Sequence, residues 1–401
     1  MNPPPRRLAF LLAALAALGP FSIDTYLPAF PAMAQSLHAS DIEIQQSLTA
    51  YLLPFAFMML WHGAISDALG RRHIILFGLG LFASASLVCA SATRIEMLWL
   101  GRALQGCSSG IGIVVGRAMV RDLLDGPEAQ RLMAKIAVLF AIAPAIAPVI
   151  GGWLLHFFDW PATFIFLALL AALLLAACAL WLPETLPVEQ RQSLHPAPLA
   201  GAYARLFRHR RFLLLALANA CNFNALFIYI LAAPVFLIRH LGLSAQSFGW
   251  MFVPQVVGMM LGSSLSGRLA GHLSSPQTVR LAYLLMSAAA LLNLGLNLTL
   301  PPGLPWSILP LPLFACGMAL AMPNLQLLAL DLFPTRRGLA SSGLGVVHTS
   351  IAVLSSALLV PLLWASTLEL ASGMALMMMT GGTAFVLSQR GGKQPGLPAG
   401  I

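Results

Sequence analysis

Twelve apolar runs of about 20 residues follow one another along this chain, and they limit its fold more than any other feature. A helix rises about 1.5 Å per residue, so roughly 20 apolar residues cross the hydrocarbon core of a bilayer. Charged residues, proline or glycine separate the runs. The pattern predicts an all-α integral membrane protein with twelve transmembrane helices. The predicted spans are 8–31, 44–66, 74–92, 98–119, 134–156, 162–182, 212–237, 247–270, 279–299, 306–330, 339–362 and 367–387.

Composition excludes a soluble fold of this size. Only 9% of the 401 residues are charged and 59% are hydrophobic, whereas about a quarter of an ordinary soluble domain is charged. All five cysteines lie in apolar runs without disulfide or metal-site spacing, so we interpret them as small core residues. We expect no cofactor and no bound metal. The cysteines are Cys89, Cys107, Cys178, Cys221 and Cys316.

The basic residues are strongly asymmetric across the predicted membrane. With the N-terminus in the cytoplasm, 19 of the 22 Lys and Arg residues fall on cytoplasmic segments or adjoining span ends. Such a bias predicts an inner-membrane protein with both termini cytoplasmic, and it explains the net charge of +9 without a nucleic-acid partner. Arg94 and Arg239 fall outside, and Arg102 lies within a span. The cytoplasmic set is Arg6, Arg7, Arg71, Arg72, Arg117, Arg121, Arg131, Lys135, Arg191, Arg205, Arg208, Arg210, Arg211, Arg268, Arg280, Arg336, Arg337, Arg390 and Lys393.

The N-terminal run has a second interpretation. Two arginines, an apolar stretch and Ala32-Met33-Ala34 also fit a cleavable secretory signal. Cleavage would leave eleven spans and would remove Asp24. The run is long enough to remain as an uncleaved first helix, and we adopt that interpretation.

The longest connection divides the spans into six plus six. We therefore expect an N-terminal six-helix bundle at 1–184, a cytoplasmic linker at 185–211 and a C-terminal six-helix bundle at 212–401. The part of the linker from Leu199 to Arg211 could form a short amphipathic helix on the membrane surface. A faint repeat supports the division, because the sequences after spans two and eight align at an offset of 200 residues. Duplicated, pseudo-symmetric bundles around a midplane site are a transporter architecture.

The loop after span two carries the most specific motif, G-A-I-S-D-A-L-G-R-R-H at 63–73. Gly70 suits a tight turn, and Arg71 can pair with an acid at the end of another helix, such as Asp122. The stretch resembles the loop signature of the major facilitator superfamily, although Ala68 replaces the usual base after Asp67. The resemblance implies the major facilitator fold and a cytoplasmic gate loop. The gate-loop residues would be Gly63, Asp67, Gly70, Arg71, Arg72 and Asp122.

Two further motifs resemble the same superfamily. L-G-R-A-L-Q-G at 100–106 is similar to its span-four motif, which is centred on an intramembrane arginine. A-P-A-I-A-P-V-I-G-G at 143–152 is similar to its antiporter motif, with two alanines in place of glycines. Small residues every fourth position allow close helix packing, and prolines bend a helix. The resemblance implies a hinge helix, and plain helix packing is the alternative. The hinge residues would be Pro144, Pro148, Gly151 and Gly152.

Four short motifs narrow the resemblance. D-T-Y-L-P-A-F-P at 24–31 resembles the first-helix signature of the Bcr/CflA drug-resistance subfamily. P-E-T-L at 183–186, A-M-P-N at 321–324 and R-G-L-A-S-S-G at 337–343 support it. This resemblance implies a drug:proton antiporter that exports small apolar or amphipathic compounds, with protons and a small-molecule substrate as partners. A permease or exporter of the same fold for one metabolite, such as a sugar or an amino acid, is the alternative.

Asp24 is the one acid that we predict well inside a span, and Arg102 is the one unexplained base. A charge at the bilayer centre costs about 2.5–3.5 kcal/mol, so such residues face a cavity or a partner. Both lie in the outer part of the N-terminal bundle and could pair. Either they form a structural bridge, or Asp24 exchanges protons under the influence of Arg102.

Polar and aromatic residues in the spans are candidates for the substrate cavity. No zinc-protease motif, cluster of intramembrane acids or phosphate loop suggests an enzyme, so we expect a transporter embedded in the bilayer as a monomer. The cavity candidates are Tyr26, Tyr51, Met58, Gln105, Asn222, Phe223, Tyr229, Gln255, Asn324 and His348.

Overall fold

The computed structural model describes residues 6–124, 126–191, 196–334 and 337–390. Within these ranges the chain is almost entirely helical. Arg336 and Lys393, two of the predicted cytoplasmic charges, lie outside the described residues, as do the side chains of Arg6, Arg131 and Lys135. The first eight helices are α1 Arg6–Asp24, α2 Phe30–Ser36, α3 Asp41–Met59, α4 His62–Leu69, α5 Arg71–Ala90, α6 Ile95–Leu123, α7 Gly126–Phe157 and α8 Pro161–Trp181. The remaining eight are α9 Pro196–Arg208, α10 Arg210–Leu231, α11 Gly249–Leu269, α12 Ser275–Thr299, α13 Pro310–Leu330, α14 Arg337–Leu354, α15 Val360–Leu363 and α16 Thr367–Arg390.

The helices match the predicted spans. Ten stretches in the described residues are long and apolar enough to cross a membrane. The pair α3 and α4 makes one further span if it is counted as one, bent by 54°, and α7 contains a shorter apolar stretch, Ile142–Phe157. The prediction of an all-α membrane protein with twelve spans is confirmed.

The first span is broken where we expected a continuous helix. α1 ends at Asp24, a short 3-10 turn covers Leu27–Ala29, and α2 continues to Ser36. Pro28 lies in that turn and Pro31 lies in the first turn of the next helix, and neither has a backbone N–H for an α-helical bond. Asp24 is therefore the last residue of α1, but it lies within the first candidate span, Arg7–Ser36, as predicted.

Spans seven and eleven contain π-helical segments. α10 ends at Leu231 and is followed by a π-helical turn at Pro234–His240, while Ser355–Leu359 joins α14 to α15 in the same conformation. Each segment lies beside a proline, Pro234 or Pro361, whose missing N–H disturbs the regular bonding.

The chain forms two compact units. The N-terminal unit is Met1–Leu194 with Ser244–Gly249, and the C-terminal unit is His195–Leu243 with Trp250–Ile401. The expected linker at 185–211 is shared between them. In the N-terminal unit α6 packs on α3 and α5, α5 packs on α8, and α1 packs on α7. In the C-terminal unit α10 packs on α16, α13 and α14, and α9 packs against α14.

Glycines bring equivalent spans into close contact in each unit. A side chain at Gly106 of α6 would collide with the backbone carbonyl of Tyr51 on α3. Gly258 and Gly262 of α11 lie in the same way against the carbonyls of Pro312 and Cys316 on α13. Spans two and four in one unit, and eight and ten in the other, therefore approach through small residues.

Candidate functional site

Arg102 is fully buried in the N-terminal unit and is held by polar groups from α1 and α6. Its Nη1 donates to the backbone carbonyl of Ser22 at 3.1 Å, to Ser22 Oγ at 3.1 Å and to Gln105 Oε1 at 2.6 Å. Gln105 is itself fixed, because its Nε2 donates to Ser86 Oγ at 2.7 Å. The arginine is thus joined to helices α1, α5 and α6.

Two tyrosine rings enclose the same guanidinium group. Its carbon lies 4.4 Å from the ring centroid of Tyr26 and 4.3 Å from that of Tyr51. These are cation–π distances, which stabilise a positive charge without a carboxylate. The hydroxyl of Tyr51 donates to Ser109 Oγ at 2.7 Å, and the hydroxyl of Tyr26 lies 3.0 Å from Ser47 Oγ. We call Ser22, Tyr26, Tyr51 and Gln105 the arginine cage.

Asp24 is not part of the arginine cage. Its residue is 3% exposed, and its Oδ1 has no hydrogen-bond partner in the described part of the chain. No ion pair joins it to Arg102 among the described residues, so the structural bridge, one of the two alternatives, is not formed there. Ser22 and Tyr26 are four residues apart and both face Arg102, and Asp24 lies between them on another side of the turn. Nε and Nη2 of Arg102 also have no acceptor among these residues.

The end of α1 that carries Asp24 is packed tightly against α7. A side chain at Gly151 would collide with the backbone carbonyl of Thr25, and one at Gly152 would collide with that of Ala245. α7 nevertheless runs through Pro144 and Pro148 as one helix. The motif predicted as a hinge therefore presents two glycines at close backbone contacts, one of them beside Asp24.

The loop residues form an ionic cluster around Arg71. Arg71 forms an ion pair with Asp67, donates from Nε to Asp122 Oδ2 at 3.2 Å, and donates from Nη1 to Ser66 Oγ at 2.6 Å. The structure therefore brings together Arg71 and Asp122, which the sequence suggested as partners. Gly63 lies on α4 and accepts from Ser66 Oγ, and Gly70 separates α4 from α5 with φ of +98°. Arg72 Nη2 turns away to the carbonyl of Ala179 at 2.6 Å.

Glu184 also belongs to this cluster, and the sequence did not suggest this position. Its two oxygens accept from the backbone N–H groups of Arg71 at 3.0 Å and Arg72 at 3.2 Å. Burial works to raise the pKa of Glu184, but four backbone donors outweigh it and hold the pKa below its usual value. The donors are Leu186, Arg71, Arg72 and Thr185.

The cavity candidates in the C-terminal unit do not form one site. Phe223 and His348 are together, with ring centroids 4.5 Å apart, and Phe227 lies 5.2 Å from Phe223. Tyr229 accepts instead from Asn293 Nδ2 at 2.8 Å, inside the unit. Asn222 lies against Gly381 and the Tyr283 hydroxyl, Asn324 Nδ2 donates to Ser266 Oγ at 3.1 Å, and Gln255 is buried with Nε2 unpaired in the described residues.

The remaining candidates lie in the N-terminal unit. Tyr26, Tyr51 and Gln105 are in the arginine cage, and Met58 lies half-buried near the end of α3. Serines were missed in the sequence, although Ser109 follows Arg102 by seven residues and so shares its helix face. No set of three His, Cys, Asp or Glu residues suited to a metal occurs in the part that the structure describes.

A helical chain of many spans, with a buried arginine cage and an ionic loop cluster, defines the class of multi-pass membrane transporters. Residues 10–356 match the Major Facilitator Superfamily, and the chain belongs to this superfamily. It is therefore a transporter and not an enzyme, and it acts on small molecules. The prediction of the family and of its drug-resistance relatives is confirmed.

Relatives support the assignment over most of the chain. An uncharacterized transporter of the same superfamily from Bacillus subtilis, YdgK, is 34% identical, with 85% of each chain covered. A bicyclomycin resistance protein homolog from Haemophilus influenzae is 28% identical over 86% of this chain and 87% of its own. Multidrug resistance protein D from Escherichia coli is 29% identical over 84% of each. The crystal structure of the human organic anion transporter MFSD10 (TETRAN) has the same fold, with a TM-score of 0.72, 20% identity, and 97% of this chain and 100% of that chain covered.

Proposed function

We propose that this protein exports small apolar or amphipathic compounds across the bacterial inner membrane in exchange for protons, with both termini in the cytoplasm. The relatives named for bicyclomycin and multidrug resistance support the substrate class. The asymmetry of the Lys and Arg residues supports the orientation. Asp24 is the proposed proton carrier.

The observation that carries the proposal is the isolation of Asp24. An ionised carboxylate buried without a cation or donors is costly, so a neutral, protonated Asp24 costs least in this arrangement. Asp24 also ends α1, where the partial negative charge of the helix terminus disfavours a second negative charge. The site can therefore hold a proton at membrane depth.

Release of that proton needs a change at the same place. Arg102 is the nearby cation, and its Nε and Nη2 have no acceptor among the described residues. A rotation of the broken first span would exchange the face that meets Arg102 and bring Asp24 towards it. Substrate binding would favour that rotation, and the ionised carboxylate would then have a counter-charge.

Loose substrate recognition fits the apolar character of the spans. The adjacent, tilted rings of Phe223, Phe227 and His348 are a candidate contact for planar or amphipathic compounds. Apolar and aromatic contacts with few fixed charges accept varied ligands. One charge that crosses 100 mV supplies about 2.3 kcal/mol, enough for roughly fifty-fold accumulation per proton.

The test uses purified protein in liposomes with a trapped pH dye. Ethidium and chloramphenicol, an amphipathic cation and a neutral compound, are added to the wild type, Asp24→Asn and the exposed control Asp331→Asn. We expect compound-triggered proton movement in the wild type and in Asp331→Asn, and none in Asp24→Asn.

Other outcomes would decide against parts of the proposal. Unchanged proton movement in Asp24→Asn would make Asp24 a structural residue and direct attention to His348. No proton movement with either compound, together with uptake of a sugar or an amino acid, would favour a metabolite permease instead.

A further inference from the structure

The carboxylate of Glu184 caps the start of α5 from a distant part of the chain. The first N–H groups of a helix have no partner within the helix. Gly70, at the cap position of α5, has no side chain to bind them. Glu184 Oε1 accepts from Arg71 N at 3.0 Å, and Oε2 accepts from Arg72 N at 3.2 Å. A residue from the segment after α8 therefore performs the task of a local capping side chain.

Arg191 lies over the same turn. Gly70 has φ of +98°, and a Cβ atom there would come within 2.6 Å of Glu184 Oε2 and 2.8 Å of Arg191 Nη2. Arg191 Nη2 is 3.9 Å from Glu184 Oε2, so the guanidinium group neutralises the capping carboxylate. Both side chains are about three-quarters buried. The space over Gly70 is thus filled by a carboxylate and a cation.

The loop motif of this chain lacks a positive charge two residues before this arrangement. Ala68, two residues before Gly70, stands where the loop signature usually has a base. We propose that Glu184 and Arg191 are positioning residues of the loop between α4 and α5, and that Arg191 supplies over Gly70 the positive charge that Ala68 omits. The proposal rests on membership of the transporter superfamily and does not depend on drug or proton transport.

The contact has a consequence for the neighbouring ionic cluster. The Arg71 backbone is bound by Glu184, while its side chain reaches Asp67 on α4 and Asp122 on α6. Thr185, next to Glu184, donates from Oγ1 to the same Asp122 oxygen at 2.8 Å. Glu184 therefore fixes the position of the Arg71 backbone, from which the Arg71 side chain connects α5 with α4 and α6. Loss of the Glu184 carboxylate would remove this restraint.

Hydrogen–deuterium exchange of the full chain in nanodiscs tests the proposal without a substrate. The reporters are the amides of Arg71 and Arg72, which donate to Glu184. We expect Glu184→Gln to accelerate their exchange about tenfold and Arg191→Ala to accelerate it several-fold. Arg191→Lys keeps the charge and should retain most of the protection. Glu189→Gln, an exposed acid on the same segment, is the matched control and should change nothing.

A second substitution tests whether charge at this turn is what matters. Ala68→Arg added to Arg191→Ala should restore slow exchange, because it returns a cation to the turn. Ala68→Arg added to Glu184→Gln should not restore slow exchange, because the capping carboxylate is still missing. Failure of the first rescue would overturn the role of Arg191, and unchanged exchange in Glu184→Gln would overturn that of Glu184. Equal acceleration throughout α8 would mean general unfolding and would overturn both.

Discussion

The guanidinium group of Arg102 lies 4.3 Å from the ring centroid of Tyr51, and no carboxylate pairs with it among the described residues. The charge is stabilised by aromatic faces and neutral oxygens, so Asp24 is not needed to keep it buried. This separation allows Asp24 to change its protonation without removing the support of Arg102. The following predictions test this arrangement and the packing around it.

Arg102→Lys should destabilise the protein although the charge is kept. Lysine has no planar group to lie between two rings, and its shorter side chain does not place a nitrogen at the position of Nη1, which contacts Ser22 and Gln105. We expect a loss of about 1–3 kcal/mol, seen as a lower thermal midpoint in detergent. Arg94→Lys, at an exposed position before α6, is the control and should leave the midpoint unchanged. Equal midpoints for the two variants would show that only the charge of Arg102 matters.

Two substitutions of Tyr51 should distinguish the stabilisation contributed by its ring from that contributed by its hydroxyl. Tyr51→Phe removes the bond to Ser109 Oγ but keeps the ring over Arg102, so we expect a cost of about 1 kcal/mol. Tyr51→Leu removes the cation–π contact as well and should cost roughly 1–2 kcal/mol more. The thermal midpoint should therefore be highest for the wild type, lower for Tyr51→Phe and lowest for Tyr51→Leu. A reversed order would argue against stabilisation of Arg102 by the ring.

Gly151→Ala should impair both stability and proton exchange. The new methyl group would collide with the Thr25 carbonyl, so the end of α1 next to Asp24 must move. Overpacking of this kind costs about 1–3 kcal/mol. Gly80→Ala on α5 is the control, because no atom lies within 4 Å of its added Cβ and alanine favours a helix. Thermal midpoints and dye-detected proton movement in liposomes measure the effect. Wild-type behaviour of Gly151→Ala would show that this contact yields easily.

The contribution of Glu184 to the stability of the folded protein should depend on pH only at acidic pH. Its pKa lies below the usual value of about 4.5, so the folded state binds the proton less readily than the unfolded chain. The stabilisation is therefore fully present above about 4.5 and is lost as pH falls through the lowered value. The difference in thermal midpoint between wild type and Glu184→Gln should be constant from about pH 8 to pH 5 and should shrink below that. A difference that changes near neutrality would assign the effect to another group.

Much of the fold follows from local information in the sequence. Each span is an apolar run long enough to satisfy its own backbone within the bilayer, so its existence does not depend on its neighbours. Proline and glycine also act locally, and Gly70 stands at the turn where it was expected. The break after Asp24 could have been inferred from Pro28 and Pro31, because neither has a backbone N–H for an α-helical bond.

The partners of the buried polar residues were decided only by the tertiary structure. Similar depth suggested that Asp24 and Arg102 meet, but depth does not determine which way a side chain points round its helix. The face of the first span that meets α6 carries Ser22 and Tyr26. Which face meets α6 is determined by the packing of whole helices. Arg71 and Glu184, which are 113 positions apart in the sequence, are likewise brought together by the packing of α5 on α8. Membrane insertion is a property of each segment, whereas side-chain pairing is a property of the assembled helices, and the sequence alone determined the first and not the second.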